Sequence, residues 1–187
     1  MNIIKTLLGL ALLTLLLGCS EANDDNDIDL TEEFAISEIF GIKIGTVDED
    51  LPPGYAIENK EITFTANKTD KRFVKYEYST TPKSHIIYGI KTKSPLELAK
   101  KDCLAQQDAL IKQTLNALGD TSEFRITQEN NKWKIRESNQ REITIECERS
   151  TSPEQLQLVM TYQDTALSLL AFREWRKRQK EITLIRF

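Results

Sequence analysis

The sequence predicts an α+β domain: an antiparallel sheet of about seven or eight strands with two helices packed on one face. Three observations lead there. From Phe40 to Ile90, apolar residues recur at every second position in short runs separated by turn residues. From Ser94 to Leu118 the period lengthens to that of a helix. After Gly119 the two-residue alternation returns, and a second helical stretch follows Asp164.

Each element follows from its own residues. "FGIKIG" puts Phe40, Ile42 and Ile44 on one face of a strand closed by Gly45. A loop through Leu51-Pro52-Pro53-Gly54 separates it from "EITFTA", with Ile62 and Phe64 aligned. "RFVKYEY" aligns Val74, Tyr76 and Tyr78, and "HIIYGIK" aligns Ile86, Tyr88 and Ile90. These read as an antiparallel meander with one buried face.

The first helix opens with a capping box, Ser94 at the N-cap and Glu97 three residues on, with Pro95 at the first helical position. Gly119 is placed to end it. Leu96, Ala99, Cys103, Leu110, Ile111, Ala117 and Leu118 form its apolar stripe. Strands resume with Phe124 and Ile126, then Trp133 and Ile135 across an Asn130-Asn131 turn. Ile143, Ile145 and Cys147 share one face of the next strand. Leu156, Leu158, Met160 and Tyr162 share that of the last, after a turn at Ser152-Pro153. A second helix is predicted from after Asp164 to about Gln179.

The N-terminus has a different character. Residues 1–18 have a positive start at Lys5, an apolar core from Leu7 to Leu17 and a small residue at the end. The run is too short to span a bilayer, which needs about 20 apolar residues. Leu16-Leu17-Gly18-Cys19 resembles the lipobox of bacterial lipoproteins. That resemblance implies a thioether-linked diacylglyceryl group on Cys19, cleavage before it and acylation of the new amino group. Several acyl chains on one residue give stable anchoring. Ser20 is not the aspartate that marks inner-membrane retention in enteric-type lipoproteins, so the resemblance favours the outer membrane, with the domain facing the periplasm. The alternative is an ordinary secretory signal that happens to end at a cysteine.

Residues 19–33 read as the acylated cysteine and a flexible tether. Ser20 to Glu33 holds seven acids and no base, too polar to order itself and extended by its own charge. A calcium loop starting at Asp25 fails, because Leu30 and Ile36 stand where Gly and Glu are required. Residues 34–187 then form a single periplasmic domain.

Charge and cysteines narrow the partners. The formal charge of −4 becomes −5 without Lys5, and the tether holds −7 of it, leaving +2 on residues 34–187. So weak a field offers nucleic acid nothing. With Cys19 acylated, Cys103 and Cys147 are left in an oxidising compartment. One lies on the helix stripe and the other on the strand's apolar face, so a disulfide between them would pin helix to sheet. Two free buried thiols are the alternative.

Catalytic constellations are scarce. There is no C-x-x-C, the sole histidine is His85, and no nucleophile elbow, P-loop or dinucleotide fingerprint occurs, so neither metal nor cofactor is expected. The C-terminal "FREWRKRQKEITLIRF" carries six basic and two acidic residues. Arg173, Trp175, Arg176, Lys177 and Arg178 there are candidates for contact with anionic headgroups or an acidic partner. A solvated helix face is the plainer reading. The expectation is an outer-membrane-anchored lipoprotein, not an enzyme, held to the membrane through Cys19 and binding another envelope protein. Envelope accessories and toxin-immunity proteins share that layout. A carrier or sensor for a small or lipidic ligand, its pocket lined by Tyr76, Tyr78 and Tyr88, is the alternative. An enzyme of unrecognised type comes third.

Overall fold

The computed structural model describes residues 34–51, 61–95, 98–138, 140–149 and 155–185. The signal stretch, Cys19, the acidic tether, the Pro52-Pro53-Gly54 loop, Leu96, Glu97 and the Ser152-Pro153 turn lie outside them.

The described residues form, in order, β1 (Glu38–Ile39), β2 (Ile42–Lys43), β3 (Ile62–Thr63), β4 (Lys75–Thr80), β5 (Ile87–Lys93), β6 (Leu98–Ala99), α1 (Lys100–Leu118), β7 (Phe124–Glu129), β8 (Lys132–Glu137), β9 (Arg141–Arg149), β10 (Gln155–Asp164) and α2 (Thr165–Ile185). The fold is α+β, with an eight-stranded antiparallel sheet in the order β3-β4-β5-β10-β9-β8-β7 and β6 paired to β10 beside that path. It is two meanders. The first runs β3-β4-β5, α1 carries the chain across the sheet, and the second returns β7-β8-β9-β10 until its last strand closes against β5.

Strand register sorts the side chains into two faces. Cys147, Ile145 and Ile143 on β9 oppose Leu158, Met160 and Tyr162 on β10, and Tyr162 in turn opposes Ile90 on β5. Ile135 and Trp133 extend the face across β8, and Tyr76 and Tyr78 extend it across β4. This is the core face, and Cys103, Leu110 and Ile111 of α1 and Leu167 of α2 join the same apolar cluster.

Local geometry departs from the sequence expectation at several points. Phe40 does not sit in a strand with Ile42; it forms, with Gly41, the turn of the β1–β2 hairpin, at φ 54° and 87°. The left-handed conformation costs Phe40 energy. Edge-to-face packing on Phe73 at 5.9 Å and Tyr76 at 5.1 Å offsets it. A side chain at Gly41 would be strained by the left-handed φ of 87° and would bring its Cβ within 3.1 Å of Asn67 Cβ. Val74 likewise leaves the predicted face and is 66 % exposed. A turn closed by the Phe73 N–H on the Asp70 carbonyl swings Phe73 inward in its place.

The helix start is also corrected. Ser94 does not cap α1; it is fully buried, its N–H donates to Leu158 O, and its hydroxyl accepts from Leu158 N at 2.9 Å. Leu98 and Ala99 form β6 against β10, and α1 begins only at Lys100. Ladder hydrogen bonds to β10 satisfy more backbone than a single cap would. Gly119 does end the helix, at φ 73°. The stripe is shifted too. Ala99 and Ala117 are exposed, while Gln107 and Thr114 are buried beside Cys103, Leu110 and Ile111.

Candidate interaction surfaces

Cys103 and Cys147 are joined, with Cα atoms 6.2 Å apart. That spacing is normal for a disulfide. The bond closes a loop with a sequence separation of 44. Four residues further along α1, the Gln107 amide donates to Asn131 O at 2.7 Å and Ile145 O at 3.0 Å. Helix and sheet are thus tied by one covalent and two polar links, all on the side chains facing β8 and β9.

The far end of the sheet holds a buried ionic cluster. Arg141 Nε donates to Asp164 at 3.0 Å, and its Nη1 donates to Ile36 O at 2.8 Å. Its guanidinium covers the Phe34 ring at 4.2 Å. Glu137 accepts the Ala35 and Ile36 N–H groups, and Asp164 also caps α2 by accepting from Leu167 N. Buried Tyr162 lies alongside; burial pushes its phenol above the ordinary range against the opposing pull of Arg141. The arrangement fastens residues 34–36, where the predicted tether would join, to the start of α2.

The face opposite the core carries charge in pairs. Glu61 meets Lys91 at 3.8 Å and Lys93 at 3.3 Å, Lys93 meets Glu77 at 2.8 Å, and Lys75 contacts the other Glu77 oxygen. Lys132 pairs with Glu146 and Arg136 with Glu142. Glu77 is nearly buried under its lysines. Burial opposes its charge, but hydrogen bonds from Lys75 and Lys93 outweigh that and hold its carboxyl at about 2.

One corner is not neutralised. Arg125 on β7 stands opposite Arg136 on β8, and Thr127 opposite Lys134. With Glu129 they line a shallow pocket. Among the described residues neither Arg125 nor Lys134 has a carboxylate partner. Like charges directly opposed destabilise a sheet unless something offsets them.

The sequence-predicted contact residues fall on α2. Arg173, Trp175, Arg176 and Lys177 are exposed and Arg178 is half-buried. Leu169 and Phe172, not singled out from the sequence, are 55 % and 54 % exposed. Phe172 stacks on Trp175 at 6.3 Å, with Arg176 over the Phe172 ring. The helical period of Leu169, Phe172 and Arg176 could have shown this second stripe.

Other candidates are dispersed. His85 lies in the turn before β5 at φ 53°, its N–H on Thr81 O and its carbonyl accepting from Asp48 N. Tyr76 and Tyr78 pack edge-on against Phe64, and their hydroxyls engage Asp70 and Asp48. Tyr88 stands apart from them beside Ser79 and Glu61. Among the described residues no group of three His, Cys, Asp or Glu is disposed to hold a metal ion, and no helix is long and apolar enough to cross a membrane. Comparison with protein-family models, with curated proteins and with solved structures finds no match to this chain.

Proposed function

We propose that the chain is an outer-membrane lipoprotein, anchored through Cys19, whose periplasmic domain binds another envelope protein by accepting an extended segment along β7. The observation that carries this reading is the position of β7 at the sheet's edge. Across the two-residue Asn130-Asn131 turn, the pairs Glu129–Lys132, Thr127–Lys134 and Arg125–Arg136 exchange ladder bonds. Ile126 and Gln128 therefore turn their N–H and C=O groups outward, in the way that strand-adding domains receive a peptide, while the Phe124 N–H is taken up by Thr121 O at 3.1 Å. The unpaired Arg125 and Lys134 beside that edge select a segment with acidic side chains.

The test uses the full chain in detergent as bait for envelope extract, compared with Ile126→Pro and Arg125→Glu. Proline at residue 126 removes an outward N–H and no β7–β8 ladder bond. The captured partner is expected to be lost from Ile126→Pro and weakened in Arg125→Glu, with thermal midpoints within about 4 °C of wild type. A partner retained at wild-type level by both variants refutes the β7 reading.

A further inference from the structure

We infer that the outward face of α2 is a membrane-docking surface, lying on anionic phospholipid headgroups and orienting the domain over the bilayer. The inference rests on the lipid-anchored reading of Cys19. Two observations support it, the first of them independent of that reading.

The first is what the face presents. Leu167 and Ala171 turn inward, the opposite side carries Leu169, Phe172, Arg173 and Arg176, and the exposed Trp175 and Lys177 flank it. None of these three cations meets a carboxylate among the described residues. The nearby Glu174 is taken up by the Lys83 N–H and the Ser84 hydroxyl. Cations on the sheet's open face are mostly matched by carboxylates, so the α2 cluster is a local excess of positive charge. Exposed aromatic and aliphatic side chains flanked by unpaired Arg and Lys are the composition of a helix that lies in the interface plane.

The second is where the face sits. Phe34 packs under Arg141, Glu137 holds the next two N–H groups, and Thr165 N donates to Gln140 O at 2.7 Å. The chain thus joins the domain beside the first residue of α2. Fourteen residues, 20–33, lie between Cys19 and Phe34. They reach at most about 50 Å, which keeps this end of the domain, with α2 across it, near an anchoring bilayer. Charge complementarity then selects the occupant, because each Lys or Arg near an anionic surface adds to the attraction.

The experiment places the full acylated chain in vesicles of phosphatidylcholine alone or of phosphatidylcholine with phosphatidylglycerol, each containing a lipid brominated near the headgroup. The readout is the part of the tryptophan emission that disappears in Trp175→Phe. Quenching of that part is expected in phosphatidylglycerol vesicles, diminished by salt. In Arg173→Glu/Arg176→Glu/Lys177→Glu the docked population is expected to fall by about a hundredfold. Arg176→Lys keeps the charge and should keep the quenching. An unchanged thermal midpoint certifies the fold of the triple variant.

Equal emission in both kinds of vesicle overturns the inference. So does a Trp175 signal that ignores lipid charge and changes only when Asp24, Asp25, Asp27 and Asp29 are made Asn, which would assign the face to the tether. A change seen only with added envelope protein also overturns it. The mass of the Cys19 peptide reports acylation separately, and chain without acyl groups can be floated with the same vesicles. Failure of the anchor and failure of α2 docking are therefore told apart.

Discussion

The two helices are attached to the sheet in opposite ways. α1 is held along its length by the Cys103–Cys147 bond, by Gln107 on two strand carbonyls and by Leu110 and Ile111 in the core. α2 is held mainly at its start, through the Asp164 cap and Leu167, and again where Glu174 meets the turn before β5. Its outer side keeps Leu169 and Phe172 in solvent. A helix fixed on all its contact positions contributes stability and little else. One fixed at a few points, with an apolar and basic face left over, has surface to spend on a partner.

Removing a link from either helix shows how unequal the two attachments are. The largest effect is expected from Cys103→Ala/Cys147→Ala, which releases a loop worth about 4 kcal/mol in the chain-entropy model. Chemical denaturation of the oxidised wild type against the double variant measures it, and a loss under about 1 kcal/mol would mean that polar and apolar contacts alone seat α1. Next comes Asp164→Ala. It strips the cap from α2 and leaves the Arg141 guanidinium without its carboxylate, at a cost of about 3 kcal/mol. The same variant should speed hydrogen exchange in the first turn of α2 more than in α1, and uniform acceleration would contradict the separate attachments. The smallest is Phe172→Ser, expected within about 0.5 kcal/mol of wild type because the ring is in solvent. A larger loss would show that the outer stripe supports the fold and is not surplus.

Much of α1 was legible before the structure, and the reason is local. Helical period, a terminal glycine and a cysteine on the apolar side are properties of neighbouring residues. Its first turn was misread because Ser94 and Pro95 look like a cap when read locally. Ser94 instead spends both its N–H and its hydroxyl on Leu158, a residue 64 positions away. For α2 the basic cluster was legible as charge. Leu169 and Phe172 were not, because an apolar residue on a helix declares which side it faces only when the core is known.

The sequence by itself determined the α+β class, the succession of strands, helix, strands and helix, and the face on which the apolar residues of β8, β9 and β10 lie. These depend on a two- or three-and-a-half-residue period that any short stretch displays. Tertiary structure alone decided that β10, the last strand made, lies at the centre between β5 and β9. It also decided that Arg141 bridges Ile36 and Asp164, and that β7 is left at an edge. Those outcomes turn on hydrogen bonds and buried charge between residues far apart in the chain. Their free energy exists only once both partners are in place, so no local pattern records it.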